Sequence, residues 1–292
     1  MDVFQINNTY SISPCDVKQE AGHTITVVTL IVICIGLPLT LVAIFAVFSL
    51  VQKDHVAPIY AINLLISDLI QFCCLIVWMA QPENWTICQI VFHTYYSSVV
   101  ASVCFMMCIA LERYLAIAWP LWYRFRRTIK ISVVVSVVVW ALPLVYLLTF
   151  IYYNLLMVSH RRKLENSLNG ERTISVFLLL PLPLFIFFLG GSLKALSASI
   201  AVSSDEKRRI VGMLVLVLLI YTLLFLPNVI WLLAEGVRRN SSFTDVSTVC
   251  LRLSPLADLV LYVFMRKGAI DKLLAYVCCC RMDNNDTSSS AV

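Results

Sequence analysis

The stretch SSVVASVCFMMCIALERYLAIA, residues 97–118, closes a long apolar run with the triplet Glu112-Arg113-Tyr114. Two charges set against roughly twenty-five apolar residues are costly in lipid unless they sit at an interface or serve a function. The triplet therefore reads as the inner end of a membrane span, and as a candidate switch. Apolar runs able to cross a hydrocarbon core of ~30 Å, ~20 residues each, recur on either side of it. They lie near 25–51, 58–80, 89–117, 129–152, 173–196, 210–235 and 247–265. The chain of 292 residues is 60% hydrophobic and 13% charged, with a mean hydropathy of +0.87, whereas a soluble chain carries ~25% charged residues. No alternating ten-residue pattern marks a β-barrel. The expected fold is an all-α membrane protein, a seven-transmembrane helix bundle followed by a short amphipathic eighth helix.

Basic residues orient the bundle. Lys53, Arg124, Arg126, Arg127, Lys130, Lys194, Lys207, Arg208, Arg209, Arg266, Lys267, Lys272 and Arg281 fall on one side, which the positive-inside rule places in the cytoplasm. The other side carries Lys18, Arg161, Arg162, Lys163, Arg172, Arg238 and Arg239. Sequons at Asn7-Asn8-Thr9, Asn84-Trp85-Thr86 and Asn240-Ser241-Ser242 fall outside, giving N-glycosylation candidates Asn7, Asn84 and Asn240. The first twenty residues lack a basic start followed by an apolar core, so no cleaved leader is expected and the N-terminus is extracellular.

The chain divides into an N-terminal arm (1–23), the seven-helix domain (24–265), an amphipathic stretch with a cysteine cluster (266–280) and a polar tail (281–292) that reads as disordered. Pro38, Pro143, Pro181, Pro183, Pro227 and Pro255 sit inside spans. Membrane bundles tolerate such prolines as kinks, because neighbours satisfy the freed carbonyls. Cys34, Cys73, Cys74, Cys104 and Cys108 lie within spans and read as apolar packing. Cys15, Cys88 and Cys250 lie toward the oxidising face and are disulfide candidates. Cys278, Cys279 and Cys280 follow the amphipathic stretch, a pattern suited to palmitoylation at the inner leaflet.

Several further motifs align with the triplet. Asn63-Leu64-Leu65-Ile66-Ser67-Asp68-Leu69 lies in the second span, Trp140 in the fourth and Phe225-Leu226-Pro227 in the sixth. Arg113 follows Cys88 by 25 residues, ~38 Å of helix, so the two mark opposite ends of the third span. In this order the chain resembles the rhodopsin-like (class A) G-protein-coupled receptors over nearly its whole length. The Phe225-Leu226-Pro227 form and Asp258 are similar to the branch holding nucleotide, lysophospholipid and proton-sensing receptors. The chain also departs from that family. Gly36-Leu37 stands where the first-helix asparagine is expected, and Asp258-Leu259-Val260-Leu261-Tyr262 lacks the motif's proline. Segment 153–172 holds no cysteine, so Cys88 lacks the usual loop partner. Cys15–Cys88 and Cys15–Cys250 both remain open.

The resemblance implies a plasma-membrane, multi-pass receptor with heterotrimeric G proteins and membrane lipids as partners. Glu112, Arg113, Tyr114 and Tyr262 become the coupling latch, with Arg113 held by Glu112 at rest. Otherwise Arg113 is an interfacial side chain that snorkels. Asp68 and Asp258, buried acids brought face to face, become a site for a shared proton or a sodium ion; the alternative is a static polar plug. Arg252, Tyr95, Tyr96, Phe225 and Trp231 are ligand-binding candidates for a small extracellular ligand, Arg252 as counter-charge to an anion and Phe225 as a toggle. His23, His93 and His160 are candidate external proton sensors. No catalytic constellation, paired-histidine metal motif or phosphate loop is present, so no enzyme, cofactor or nucleic-acid role is expected. Two other classes stay open: a receptor-like protein acting by association, and an ion or proton transporter using Asp68, Asp258 and Arg252.

Overall fold

The computed structural model describes residues 23–51, 59–80, 84–119, 129–156, 174–198, 204–234 and 240–265. Seven helical crossings match the expected spans in number and order. The first four are α1 (His23–Val51), α2 (Ile59–Met79), α3 (Trp85–Ala118) and α4 (Ile129–Leu156). The fifth, Ile174–Ser197, breaks at a turn on Leu180 ahead of Pro181 and Pro183 and continues as α5 (Pro181–Ala198). The sixth joins α6 (Ser204–Ile220), a π-helical turn at Tyr221–Phe225 and α7 (Leu226–Leu233). The seventh is α8 (Ser241–Met265).

Several boundaries differ from the hydropathy reading, and capping explains two of them. The third helix starts at Trp85 rather than near 89, because the Asn84 side chain accepts from the Thr86 amide at 2.9 Å. The seventh starts at Ser241 rather than 247, where Asn240 Oδ1 accepts from the Phe243 amide at 3.3 Å. Ser, Thr and Asp near 241–245 lower the hydropathy but suit a first helical turn. The arm up to residue 22, the amphipathic stretch, the tail, the loop basic residues Arg124, Arg126, Arg127, Arg161, Arg162, Lys163, Arg238 and Arg239, and with them Asn7, Cys15 and Cys278–Cys280, lie outside the described residues.

Helix α3 is the axis of the bundle, packing on α2, α4, α5 and α6. Val99, Ala101, Phe105 and Met106 on it are fully buried. Helices α1 and α4 are peripheral, with Phe45, Val42, Val134, Val137 and Leu148 exposed. In a membrane span such residues face acyl chains. Polar side chains fasten the second span to the fourth. Trp140 Nε1 donates to Asn63 Oδ1 at 2.9 Å, and Asn63 Nδ2 reaches Ser136 Oγ at 3.4 Å.

The first-helix departure has a packing consequence. A Cβ built on Gly36 would stand 2.5 Å from Cζ of Phe72 and 3.1 Å from Leu256. Phe72 is fully buried, so its ring has little freedom to retreat. Gly36→Val is expected to cost about 1–3 kcal/mol through overpacking and to lower surface expression, read by flow cytometry. Unchanged expression would mean that the α1–α2 contact relaxes freely.

Candidate functional site

At the inner end of α3, Arg113 is partly buried, with Nε shielded and without a hydrogen bond. Among the described residues it forms no ion pair. The expected Glu112–Arg113 latch is thus not formed in this packing, and helix geometry gives the reason: neighbours i and i+1 do not face one another. Tyr114 turns instead toward the fifth span. Its ring stacks on Phe188 at 5.8 Å and 27° and meets Phe187 at 5.8 Å. A Cβ on Gly191 would come within 2.6 Å of that ring, so the glycine provides the space that Tyr114 fills. Tyr262 is buried on the seventh span beside Ala43, Val47, Ala61 and Leu65.

Midway along the bundle, Asp68 and Asp258 meet as expected. Both are fully buried and their carboxyl groups interact directly. Ser102 Oγ donates to Asp258 Oδ2 at 2.8 Å, and Gln71 Nε2 lies 3.5 Å from Asp68 Oδ1. Ser254 Oγ donates to the Leu251 carbonyl at 2.8 Å and lies 3.4 Å from Gln71 Oε1. Asp68 Oδ2 and Asp258 Oδ1 have no hydrogen-bond partner, and neither acid has a cationic partner among the described residues. Ser102 and Gln71 escaped the sequence reading. Three positions after Asp68, Gln71 shares its helix face, a signal present in the sequence; Ser102 reaches Asp258 only through the α3–α8 contact.

The ligand-binding candidates fall into two adjoining groups in the outer half, joined by the edge-on contact of Tyr95 with Tyr96 at 5.7 Å. Arg252 donates to the Thr29 hydroxyl and, at 3.4 Å, to the Ile25 carbonyl, both on α1. Its guanidinium lies 5.8 Å from the Trp78 ring centre. Tyr95 packs edge-on to Trp78 and reaches the Leu251 carbonyl at 3.4 Å. The second cluster centres on Asn228, whose amide nitrogen lies 3.3 Å from Tyr96 Oη and 3.4 Å from Ser247 Oγ. There Trp231 Nε1 donates to Thr244 Oγ1 at 3.0 Å. Asn228, directly after Pro227, was missed because a lone amide carries no motif. Phe225 is fully enclosed, stacked on Tyr221 at 6.0 Å and 24°. Tyr221 donates to the Leu178 carbonyl at the break in the fifth span, so the π turn fastens the sixth span to the fifth.

Among the described residues, the two histidines lie in different settings. His23 is exposed at the start of α1, whereas His93 is fully buried. Its Nδ1 lies 2.7 Å from Tyr146 Oη, and its ring lies on Phe150 with centres 3.5 Å apart. Helix α3 carries this residue inward toward α4. His160 lies outside the described residues.

Cys88 is disulfide-bonded, whereas Cys250 is a free thiol. The Cys15–Cys250 alternative therefore falls. Cys250 lies nine residues into α8, ~14 Å from its outer end, inside the bundle rather than at the oxidising face. The sequon asparagines Asn84 and Asn240 are exposed.

The family model described as "7 transmembrane receptor (rhodopsin family)" matches residues 39–260. The chain is similar to G-protein coupled receptor 68 of Mus musculus, 27% identical over 285 residues, covering 86% of this chain and 76% of that one. G-protein coupled receptor 65 of Homo sapiens is 25% identical over 276 residues, covering 82% of each. Proteinase-activated receptor 2 of Rattus norvegicus is 29% identical over 277 residues, covering 84% of this chain and 69% of its own. The protein is thus a receptor rather than an enzyme, a multi-pass protein of the plasma membrane, and its family couples to heterotrimeric G proteins. With the Glu112-Arg113-Tyr114 triplet closing an axial third helix and seven crossings around it, the chain belongs to the rhodopsin family of seven-transmembrane receptors.

Proposed function

We propose that this receptor is governed by protonation or ion loading of the Asp68–Asp258 pair, with Arg113 as its cytoplasmic output. The observation that supports this is the pair itself: two interacting, fully buried carboxyls with two oxygens left without hydrogen bonds. Two like charges in an apolar interior are strongly disfavoured. The pair therefore holds a proton or a cation. The oxygens at the pair are those of the two carboxyls and the Ser102 hydroxyl, while Gln71 turns Nε2 toward Asp68 and Oε1 toward Ser254. Such a set suits a hard cation, and a sodium ion bound there would neutralise the pair. A neutral hydrogen-bonded pair draws the second and seventh spans together, with Ser102 of the third bound to Asp258, whereas two bare charges push the second and seventh apart.

The experiment steps extracellular pH from 8 to 6 on cells expressing the receptor while G-protein activation is recorded. The sign follows from the pair. If the protonated pair favours the active packing, activity rises as pH falls, since protons load the form that packs tightest. A flat response over this range, in sodium and in a sodium-free medium alike, would remove the pair as the input.

A second reading rests on Arg252. It is a shielded cation in the outer half of the bundle whose partners are a hydroxyl, a carbonyl and an aromatic face. Among the described residues no acid pairs with it. A buried charge without a counter-ion is costly, so an anionic ligand would gain what the protein leaves unpaired. In the same register we propose Cys15 as the partner of Cys88, palmitate on Cys278–Cys280 and glycans at Asn7, Asn84 and Asn240.

A further inference from the structure

Gln71 is fully enclosed on α2, three residues after Asp68, and its amide is poorly held at both ends. Nε2 lies 3.5 Å from Asp68 Oδ1, and Oε1 lies 3.4 Å from Ser254 Oγ. Both distances exceed the usual ~2.7–3.2 Å of a protein hydrogen bond. The Ser254 end also carries a conflict. A hydroxyl has one proton to give, and Ser254 places it on the Leu251 carbonyl at 2.8 Å. Gln71 Oε1 therefore meets a lone pair of Ser254 rather than its proton.

The Leu251 carbonyl holds that proton for a backbone reason. Its helical donor in α8 would be the amide of residue 255, and Pro255 has none. Ser254 and, at 3.4 Å, Tyr95 Oη serve as donors instead. A half-turn of the Gln71 amide exchanges its oxygen and nitrogen with almost no change of shape. Nε2 then donates to Ser254 Oγ, which removes the conflict, and Oε1 faces Asp68. Because Oε1 only accepts, this orientation closes only when Asp68 Oδ1 carries a proton.

We propose that Gln71 turns over when both acids are protonated, and that it is the positioning residue that lets the pair become fully neutral. The inference rests on the reading of the pair as the receptor's input and takes the proton as its load. In the turned state the groups answer one another head to tail. Ser102 donates to Asp258 Oδ2, Asp258 Oδ1 to Asp68 Oδ2, and Asp68 Oδ1 to Gln71 Oε1. Gln71 Nε2 then donates to Ser254, and Ser254 to the Leu251 carbonyl. The chain employs both carboxyl oxygens that lack a hydrogen bond in the present packing, Asp68 Oδ2 and Asp258 Oδ1. Running the protons the other way, from Asp258 to Ser102, would leave Oε1 against the Ser254 lone pair. The titratable group facing the chain from α3 is Tyr95, with Arg252 and Cys74 beyond it. Helix α1 carries only His23 and Cys34, and the sixth crossing, Ile210–Leu233, only Tyr221.

The test uses the full chain, purified in lipid nanodiscs and titrated from pH 9 to pH 5 under infrared difference spectroscopy. Asp68→Asn identifies the carboxyl C=O band that belongs to Asp68. Gln71→Met keeps the length of the side chain and removes the amide. In it the band is expected to move to higher frequency, because the acid loses its acceptor. Its midpoint should fall by about half to one pH unit, the worth of one neutral hydrogen bond. Ser254→Ala should lower the midpoint by less, and should add nothing to Gln71→Met, since it acts through that amide. A band present in the wild type and unmoved by Gln71→Met would overturn this inference and leave the pair as a protonated input. A midpoint raised by Gln71→Met would also overturn it, since the amide would then serve the ionised acid. A titration that shows no Asp68 band at all would remove the reading of the pair as a protonated input, and this inference with it.

Discussion

Arg113→Ala is expected to remove G-protein activation while leaving the receptor at the cell surface. In this packing Arg113 forms no ion pair among the described residues, and its Nε lacks a hydrogen bond. Truncation therefore breaks no ion pair among the described residues and takes away a partly shielded charge whose Nε has no hydrogen bond. Its effect on stability should be small. The effect on coupling should be large. An arginine acting as an interface anchor typically costs ~2 kcal/mol or more on truncation, a ~30-fold or greater loss. Nucleotide exchange measured on membranes at matched receptor density is the readout. Exchange equal to wild type would assign Arg113 to simple interfacial snorkelling and would favour a receptor-like protein acting by association. Tyr114 provides the internal comparison, because its ring is held between Phe187, Phe188 and Gly191. Its replacement should disturb the α3–α5 contact, and with it expression.

The second large effect is expected at the acid pair. Asparagine copies the shape of a protonated aspartate and cannot ionise, so Asp258→Asn holds one half of the pair permanently neutral. It also keeps an oxygen to accept from Ser102, which now donates at 2.8 Å. If proton loading favours the active packing, this variant should show raised activity at pH 8 and a response to acid reduced about fivefold or more, within the usual range of coupling energies. Asp68→Asn should act in the same direction, and the double variant should be insensitive to pH. The two changes should not add, because the groups interact directly. A static polar plug predicts something else: lower expression of all three variants with the pH response of the surviving receptor intact. Ion flux across the membrane, abolished by either substitution, would instead support the transporter alternative.

Why the acids were legible and their partners were not follows from what each residue must overcome. Asp68 and Asp258 stand out in apolar runs because a carboxyl there is costly wherever it points. Ser102 is unremarkable in a run of small residues, and only the approach of α8 to α3 makes it the donor to Asp258. The same holds for Asn228, whose role depends on Tyr96 and Ser247 arriving from two other spans. His93 shows the opposite error. Its place near the outer end suggested a solvent-facing group, but the rotation of α3 turns it inward against Tyr146 and Phe150.

The amino-acid sequence alone determined the seven crossings, their order and orientation, the family motifs and the residues too polar to lie in lipid without a role. Those follow from the free energy of transferring each side chain into hydrocarbon and need no knowledge of neighbours. The tertiary structure alone decided which polar groups meet. It placed Asp68 beside Asp258, parted Arg113 from Glu112, freed Cys250 and turned His93 inward onto Tyr146. The reason is geometric: each helix offers several faces, hydropathy does not choose between them, and only the packing of the other spans fixes its rotation.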